Sequence, residues 1–357
     1  MIKAVLDNET LRFLMSIERA KAHFGEVRLP VSLAGKLRKS SRKKSSFASN
    51  RIEGNPLTED QSNAAIDSSR RHYLKPEQEI RNYFKALQYL ERSLLEQMAF
   101  SIDFLLSVQR IVVDGESPEK IGLRGPMPPG VLFAVYDDVM GRPEYIPPEA
   151  KDVRPLLEEL VQYVRQSDDH PVVKAAIVHY QLVTIHPFED GNGRTARLLS
   201  DYVLDLYGYG FNQIGSLEEY FAYDIDEYYR SLQMDLPVLY YDGRANPPHP
   251  EIWIHYFLRM MALHADKALE LVSDATVQQV QAGFSFLSIK EREFIRELVR
   301  KGVREFTPTE QARLFKVTNR TVINWCANLV KNGFLVPNIT GTRIRSYSLT
   351  EVADTIV

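Results

Sequence analysis

Apolar residues at Val173, Ala176, Ile177 and Tyr180 recur at helical spacing, and Leu199, Tyr202, Val203 and Leu206 repeat that stripe beyond a glycine-containing segment at 186–197. Two buried helices joined by a short loop leave that loop little freedom, and this constrains the fold more than any other feature. Helix formers fill 74–106, with Ile80, Tyr83, Leu87 and Leu90 on one face, and helical spacing returns at 153–164. Further helices are predicted around 217–232 and 251–271, the latter with Trp253, Phe257 and Leu258 on its apolar side. The predicted class is all-α. Between Arg124 and Pro148, Gly125, Pro126, Pro128, Pro129 and Gly130 precede an apolar run at 131–136, then Asp137 and Asp138, which favours a loop carrying a short β-hairpin.

The loop itself reads His186-Pro187-Phe188-Glu189-Asp190-Gly191-Asn192-Gly193-Arg194-Thr195-Ala196-Arg197. Gly191 and Gly193 let the backbone curl until several N–H groups converge on an anion, reinforced by the dipole of the following helix. Arg194 and Arg197, three apart, share a helix face and can reach successive phosphates. Asp190 offers a hard oxygen to Mg2+, and His186 has the pKa of a proton acceptor near neutrality. His170 and His179 fit no metal-ligand spacing and read as satisfied helix histidines.

These twelve residues resemble the signature of the Fic family, HPFx(D/E)GNGRxxR, at every defined position, and the likeness extends over about residues 29–271. It implies a helical Fic core with a small β-hairpin flap, and transfer of AMP from Mg2+-bound ATP to a Ser, Thr or Tyr hydroxyl of a target protein or of the chain itself. In that chemistry His186 takes the hydroxyl proton and Asp190 holds the metal. Asn192 and the backbone of Gly191 and Gly193 hold the α- and β-phosphates, Arg194 and Arg197 neutralise the β- and γ-phosphates, and Phe188 anchors the loop. The segment before Ile146-Pro147-Pro148 would be the flap that pins the target strand.

Upstream, Ser49-Asn50-Arg51-Ile52-Glu53-Gly54 fits (S/T)xxxE(G/N), which in Fic proteins marks an inhibitory helix. Ser49 and Glu53 share a helix face, and the likeness implies that Glu53 pairs with Arg197 at the expense of the γ-phosphate. The same glutamate could orient water for AMP removal. Gly54 and Pro56 end a short helix near Glu53, and Thr58 with Gln61 caps the next. The basic run at 36–46, with Arg38, Lys39, Arg42, Lys43 and Lys44, is expected to be a solvated face. Tyr228 and Tyr229 resemble a tyrosine pair lining the adenine pocket. Asp224, four residues earlier, departs from the asparagine usual there.

From Ser288 onward, Ser288 with Glu291 and Thr307-Pro308-Thr309-Glu310 are capping boxes, a third helix is predicted from Thr318 to Gly333, and 334–336 with 343–349 reads as a two-stranded hairpin. That order is a winged helix-turn-helix pattern. Residues 288–357 hold twelve Lys and Arg against seven acids, a local +5 in a chain of net charge -3. With DNA as partner, Thr318, Asn319, Arg320, Thr321 and Asn324 would face base edges, Arg343 and Arg345 would lie on the wing, and Lys316 and Lys331 would meet phosphates. Protein contact is the competing use of this module, with Trp325 and Leu329 in its core either way.

A length of 357 residues predicts two or three domains, taken as an N-terminal helical region 1–73, a catalytic core 74–280 and a winged-helix domain 281–357. One cysteine, Cys326, permits no internal disulfide, and neither a secretory leader nor a membrane-spanning run is visible, so a cytoplasmic protein without membrane partners is expected. The family resemblance adds a homodimer. An autoinhibited protein adenylyltransferase is the leading expectation. The alternatives are removal of AMP or another nucleotidyl donor on the same fold, and, from a different class, a nucleotide-sensing transcriptional regulator.

Overall fold

Asp7 accepts hydrogen bonds from the N–H groups of Glu9 and Thr10 and so starts the first helix, α1 (Asn8–Glu26), in the computed structural model. The structure describes residues 2–27, 29–131, 133–136, 143–236, 247–285, 287–340, 343–350 and 353. They are divided between two units, Met1–Leu269 and Glu270–Val357.

In the first unit α1 is followed by α2 (Val31–Ile52), α3 (Glu59–Asp67), α4 (Lys75–Leu95) and α5 (Ile102–Val112). The short antiparallel strands β1 (Val135–Tyr136) and β2 (Pro143–Tyr145) form the hairpin expected before Pro147. The expected turn at Asp137 and Asp138 lies outside the described residues. Then come α6 (Ala150–Gln166), α7 (Pro171–Ile185), α8 (Asn192–Leu206), α9 (Glu218–Tyr223), α10 (Ile225–Gln233) and α11 (Pro250–Ser285), whose residues up to Leu269 belong to this unit.

The pair α7–α8 is the axis of this unit. All of α7 from Val172 to Ile185 is buried except Val183, because α6 packs on it and Trp253 of α11 donates its indole N–H to the Ala176 carbonyl at 2.7 Å. On α8 pack α2, α4 and α5. A loop suspended between two such helices inherits their rigidity.

Three sequence expectations for the first unit need correction. The helix ending near Glu53 is not short, since α2 runs 22 residues. Nor is its basic run only a solvated face: Ser41, Ser45, Ser46 and Ser49 are buried, with Ser45 donating to Glu218 at 2.7 Å, while Arg42, Lys43 and Lys44 pair with Glu91, Asp67 and Glu219. The helix expected at 217–232 is broken into α9 and α10 at Asp224, whose carboxylate leaves the helix to cap the Glu227 N–H at 2.8 Å.

The second unit carries α12 (Ile289–Arg300), β3 (Glu305–Phe306), α13 (Pro308–Leu314), α14 (Asn319–Lys331), β4 (Leu335–Thr340) and β5 (Arg343–Leu349). Both capping boxes form, at Ser288 with Glu291 and at Thr307 with Glu310. The predicted two-stranded hairpin is a three-stranded antiparallel sheet in the order β3-β5-β4, because Glu305 and Phe306 pair with Ser348 and Tyr347. Phe294, Val322, Cys326, Leu329 and Phe334 are fully buried in its core, with Trp325 packed against them. Helices dominate both units, so the class is all-α, and no described helix is long and apolar enough to cross a membrane.

Candidate active site

The last residue position of α7 hands over to His186, which takes a left-handed conformation (φ 49°) and keeps its N–H on the Leu182 carbonyl. A non-glycine residue held there is strained, and the strain turns the chain out of the helix. The imidazole Nδ1 lies 3.3 Å from the Val183 carbonyl, so Nδ1 carries the hydrogen and Nε2 keeps its lone pair. Burial pushes the His186 pKa down to about 4, with the Arg124 guanidinium adding to the effect, so the ring is neutral near pH 7.

Next in the loop, Phe188 is buried and bridges Leu123. Asn192 clamps it: the side-chain oxygen accepts from the Phe188 N–H at 3.0 Å and the amide nitrogen donates to the Phe188 carbonyl at 2.9 Å. The side chain for which the Fic resemblance implies a phosphate contact here braces the loop. Gly191 sits at φ 81°, and a Cβ there would stand 3.1 Å from methyls of both Val112 and Val113. Glycine is needed on both counts.

Arg197 is buried beneath the N-terminus of α8, 1% exposed. Its Nε donates to the Ser49 hydroxyl at 2.8 Å, one terminal nitrogen reaches the Ser49 carbonyl at 3.0 Å and the Glu53 carboxylate at 2.6 Å, and the other lies 3.4 Å from the Tyr228 hydroxyl. Burial opposes the Arg197 charge, but Glu53 with the phenols of Tyr228 and Tyr83 outweighs it and lifts its pKa above the usual value. Glu53 also overlies Gly193, where any side chain would collide with its carboxylate. A carboxylate therefore occupies the positive end of α8, the place an incoming phosphate would take.

Tyr228 is buried behind Arg197 and also meets His179 at 2.8 Å, whereas Tyr229 is half exposed with its hydroxyl 3.4 Å from the Ile52 carbonyl. His170 caps α7 and contacts Glu18. Asp190 meets Arg194 at 3.0 Å through one oxygen and Lys120 at 3.1 Å through the other.

Lys120 and Arg124 escaped the sequence reading. Arg124 donates to the His186 carbonyl at 2.7 Å and to the Pro148 carbonyl, while its N–H bonds Pro187, so one side chain ties the loop to the end of the hairpin segment. The composition change at Arg124 was the available signal, but its partners lie 24 and 62 residues away. In the second unit Arg320 and Asn324 are exposed on α14, and Arg343 and Arg345 are exposed on β5.

Residues 99–204 match the Fic/DOC family. The protein adenylyltransferase fic-1 of Caenorhabditis elegans is 35% identical over 167 residues, 44% of this chain and 30% of its own length. The protein adenylyltransferase Fic of Nematostella vectensis is 29% identical over 170 residues, 46% of this chain and 37% of its own. The chain thus spans about a third of the length of these curated relatives. Among solved structures, a Fic family protein from Desulfovibrio desulfuricans is similar with a TM-score of 0.62 at 21% identity, covering 98% of each chain. Fic-1 from C. elegans follows at 0.57 and 24%, over 74% of this chain and 72% of that one. The fold is therefore shared with these solved structures, and the similarity to the Fic/DOC family lies over residues 99–204.

Proposed function

We propose that the chain is a protein adenylyltransferase that moves AMP from ATP to a Ser, Thr or Tyr hydroxyl of a target protein, itself included, and that Glu53 holds it inactive at rest. The observation that carries this reading is the Glu53 carboxylate seated on Arg197 and Gly193, in the anion site at the α8 N-terminus. With Glu53 displaced, that site is free for ATP phosphates, which the N–H groups of 191–193, Arg194 and Arg197 would receive.

The target hydroxyl attacks the α-phosphorus, its proton passes to Nε2 of His186, and the bond to the β-phosphate oxygen breaks to release pyrophosphate. A neutral, Nδ1-protonated His186 suits the proton transfer. Asp190 suits Mg2+ as a hard oxygen ligand whose Oδ2 faces a cation, the Lys120 ammonium, at 3.1 Å. Among the described residues no three His, Cys, Asp or Glu side chains are grouped to hold a metal, so Asp190 and ATP phosphates would share it, as Mg2+ commonly allows. Such an ion would neutralise phosphate charge and orient the leaving group. Tyr228 supports Arg197 from behind, leaving the more exposed Tyr229 to face the base.

The functional division we infer is 1–73 for the brake, 74–280 for catalysis and 281–357 for a winged helix that binds DNA. The last assignment is supported by three helices with a three-stranded sheet and by exposed Arg320, Asn324, Arg343 and Arg345. The sole cysteine, buried Cys326, suits a cytoplasmic location, and a homodimer remains part of this reading.

Parallel incubations with α-labelled and γ-labelled ATP test the chemistry. Label should enter protein only from the α position, and His186→Ala should lower it about 100-fold or more. Label from the γ position, or full labelling by His186→Ala, would contradict the reading.

A further inference from the structure

Both oxygens of Asp190 are already occupied by cations. Oδ1 faces Arg194, and Oδ2 faces the Lys120 ammonium, which also contacts Glu116 at 2.8 Å. Glu116 in turn meets Lys75 of α4 at 2.9 Å. A ladder of alternating charge thus runs Lys75, Glu116, Lys120, Asp190, Arg194.

Lys120 is delivered by a braced turn. The Gln109 amide donates to the Lys120 carbonyl at 2.7 Å and to the Asp190 carbonyl at 3.3 Å, and its oxygen accepts from the Gly122 N–H at 3.1 Å. One buried side chain therefore fixes the spacing between the lysine's backbone and the loop.

A dication sharing Oδ2 with that ammonium would meet strong repulsion at such short range, so one of the two must yield. Lys120 can yield at small cost because Glu116 remains as its partner. We propose that Lys120 is a positioning residue that fills the metal position on Asp190 at rest and swings onto Glu116 alone when Mg2+ arrives with ATP. This rests on the nucleotide-transfer reading and adds to it a cation that competes with the metal.

The competition predicts effects of opposite sign at the two ends of the Lys120 bridge. Removing the lysine relieves competition. Removing Glu116 leaves Asp190 as its remaining partner in this contact and strengthens competition.

The test measures the ATP dissociation constant of the full chain, carrying Glu53→Gly throughout, in saturating Mg2+ and again in EDTA. The ratio of the EDTA value to the Mg2+ value reports how far the metal strengthens ATP binding. Lys120→Met should raise that ratio about fivefold, and Glu116→Gln should lower it about threefold. A purely structural brace predicts a fall in both variants, and that result, or an unchanged ratio in both, would overturn the proposal. Failure of every form to bind ATP under either condition would overturn the nucleotide reading and this inference with it, a result distinct from a measurable ratio that does not move.

Discussion

His186 and Asp205 show what burial does to a base and to an acid in one fold. Burial lowers the pKa of His186 and of His264 to about 4, because the charged imidazolium is penalised. Between the unfolded value of 6.5 and about 4 the unfolded chain binds protons that these folded histidines do not, so their stability contribution is present above that window and lost as pH falls through it. Asp205 lies on the other side of the balance. Burial lifts its pKa from 3.8 to about 7, so its folded form is favoured while protonated and is penalised as pH rises through that range. Asp205→Asn removes a charge cost that in the natural chain grows as pH rises from 3.8 to about 7. Its melting temperature relative to the natural chain should therefore be about 4 °C more favourable near pH 7.5 than near pH 5, by calorimetry at both values. An equal offset at the two pH values would mean that Asp205 titrates normally.

At the scale of elements, legibility followed the range of the forces involved. α7, the loop and α8 were readable because helical stripes and glycine turns are local signals, and capping boxes at Thr58, Ser288 and Thr307 form for the same reason. α2 was misread because charge counting sees Arg42, Lys43 and Lys44 but not what the serines on either side of them meet. Ser41, Ser45 and Ser49 recur every four residues on the inward face, and their partners Gly215, Glu218 and Arg197 lie 148 to 174 residues away. The break at Asp224 was hidden because an aspartate inside a helical stripe looks tolerable until its side chain takes the cap. β3 was missed because two residues carry no periodicity, and only β5 makes them a strand. In the site itself the loop residues could be named from their types and spacing and Glu53 only through the resemblance to Fic proteins, whereas Lys120 and Arg124 depend on contacts that no local pattern reports.

For the whole molecule, the two units raise separate questions. The second presents exposed arginines on both α14 and β5, the surfaces by which a winged helix would meet DNA. Replacing Arg320 and Arg343 together with alanine should weaken binding to a DNA duplex about tenfold or more in low salt and flatten the salt dependence, read by gel shift. No shift by the unmodified chain at low salt would assign this unit to protein contact instead. The first unit carries the central proposal, that Glu53, which holds Arg197 and covers Gly193, would keep the transfer site from receiving ATP productively. The direct test is incorporation of label from α-labelled ATP by the full chain and by its Glu53→Gly form at equal concentration. The account predicts at least about a tenfold gain in the variant, lost again when His186→Ala is added, and equal labelling with and without Glu53 would contradict it.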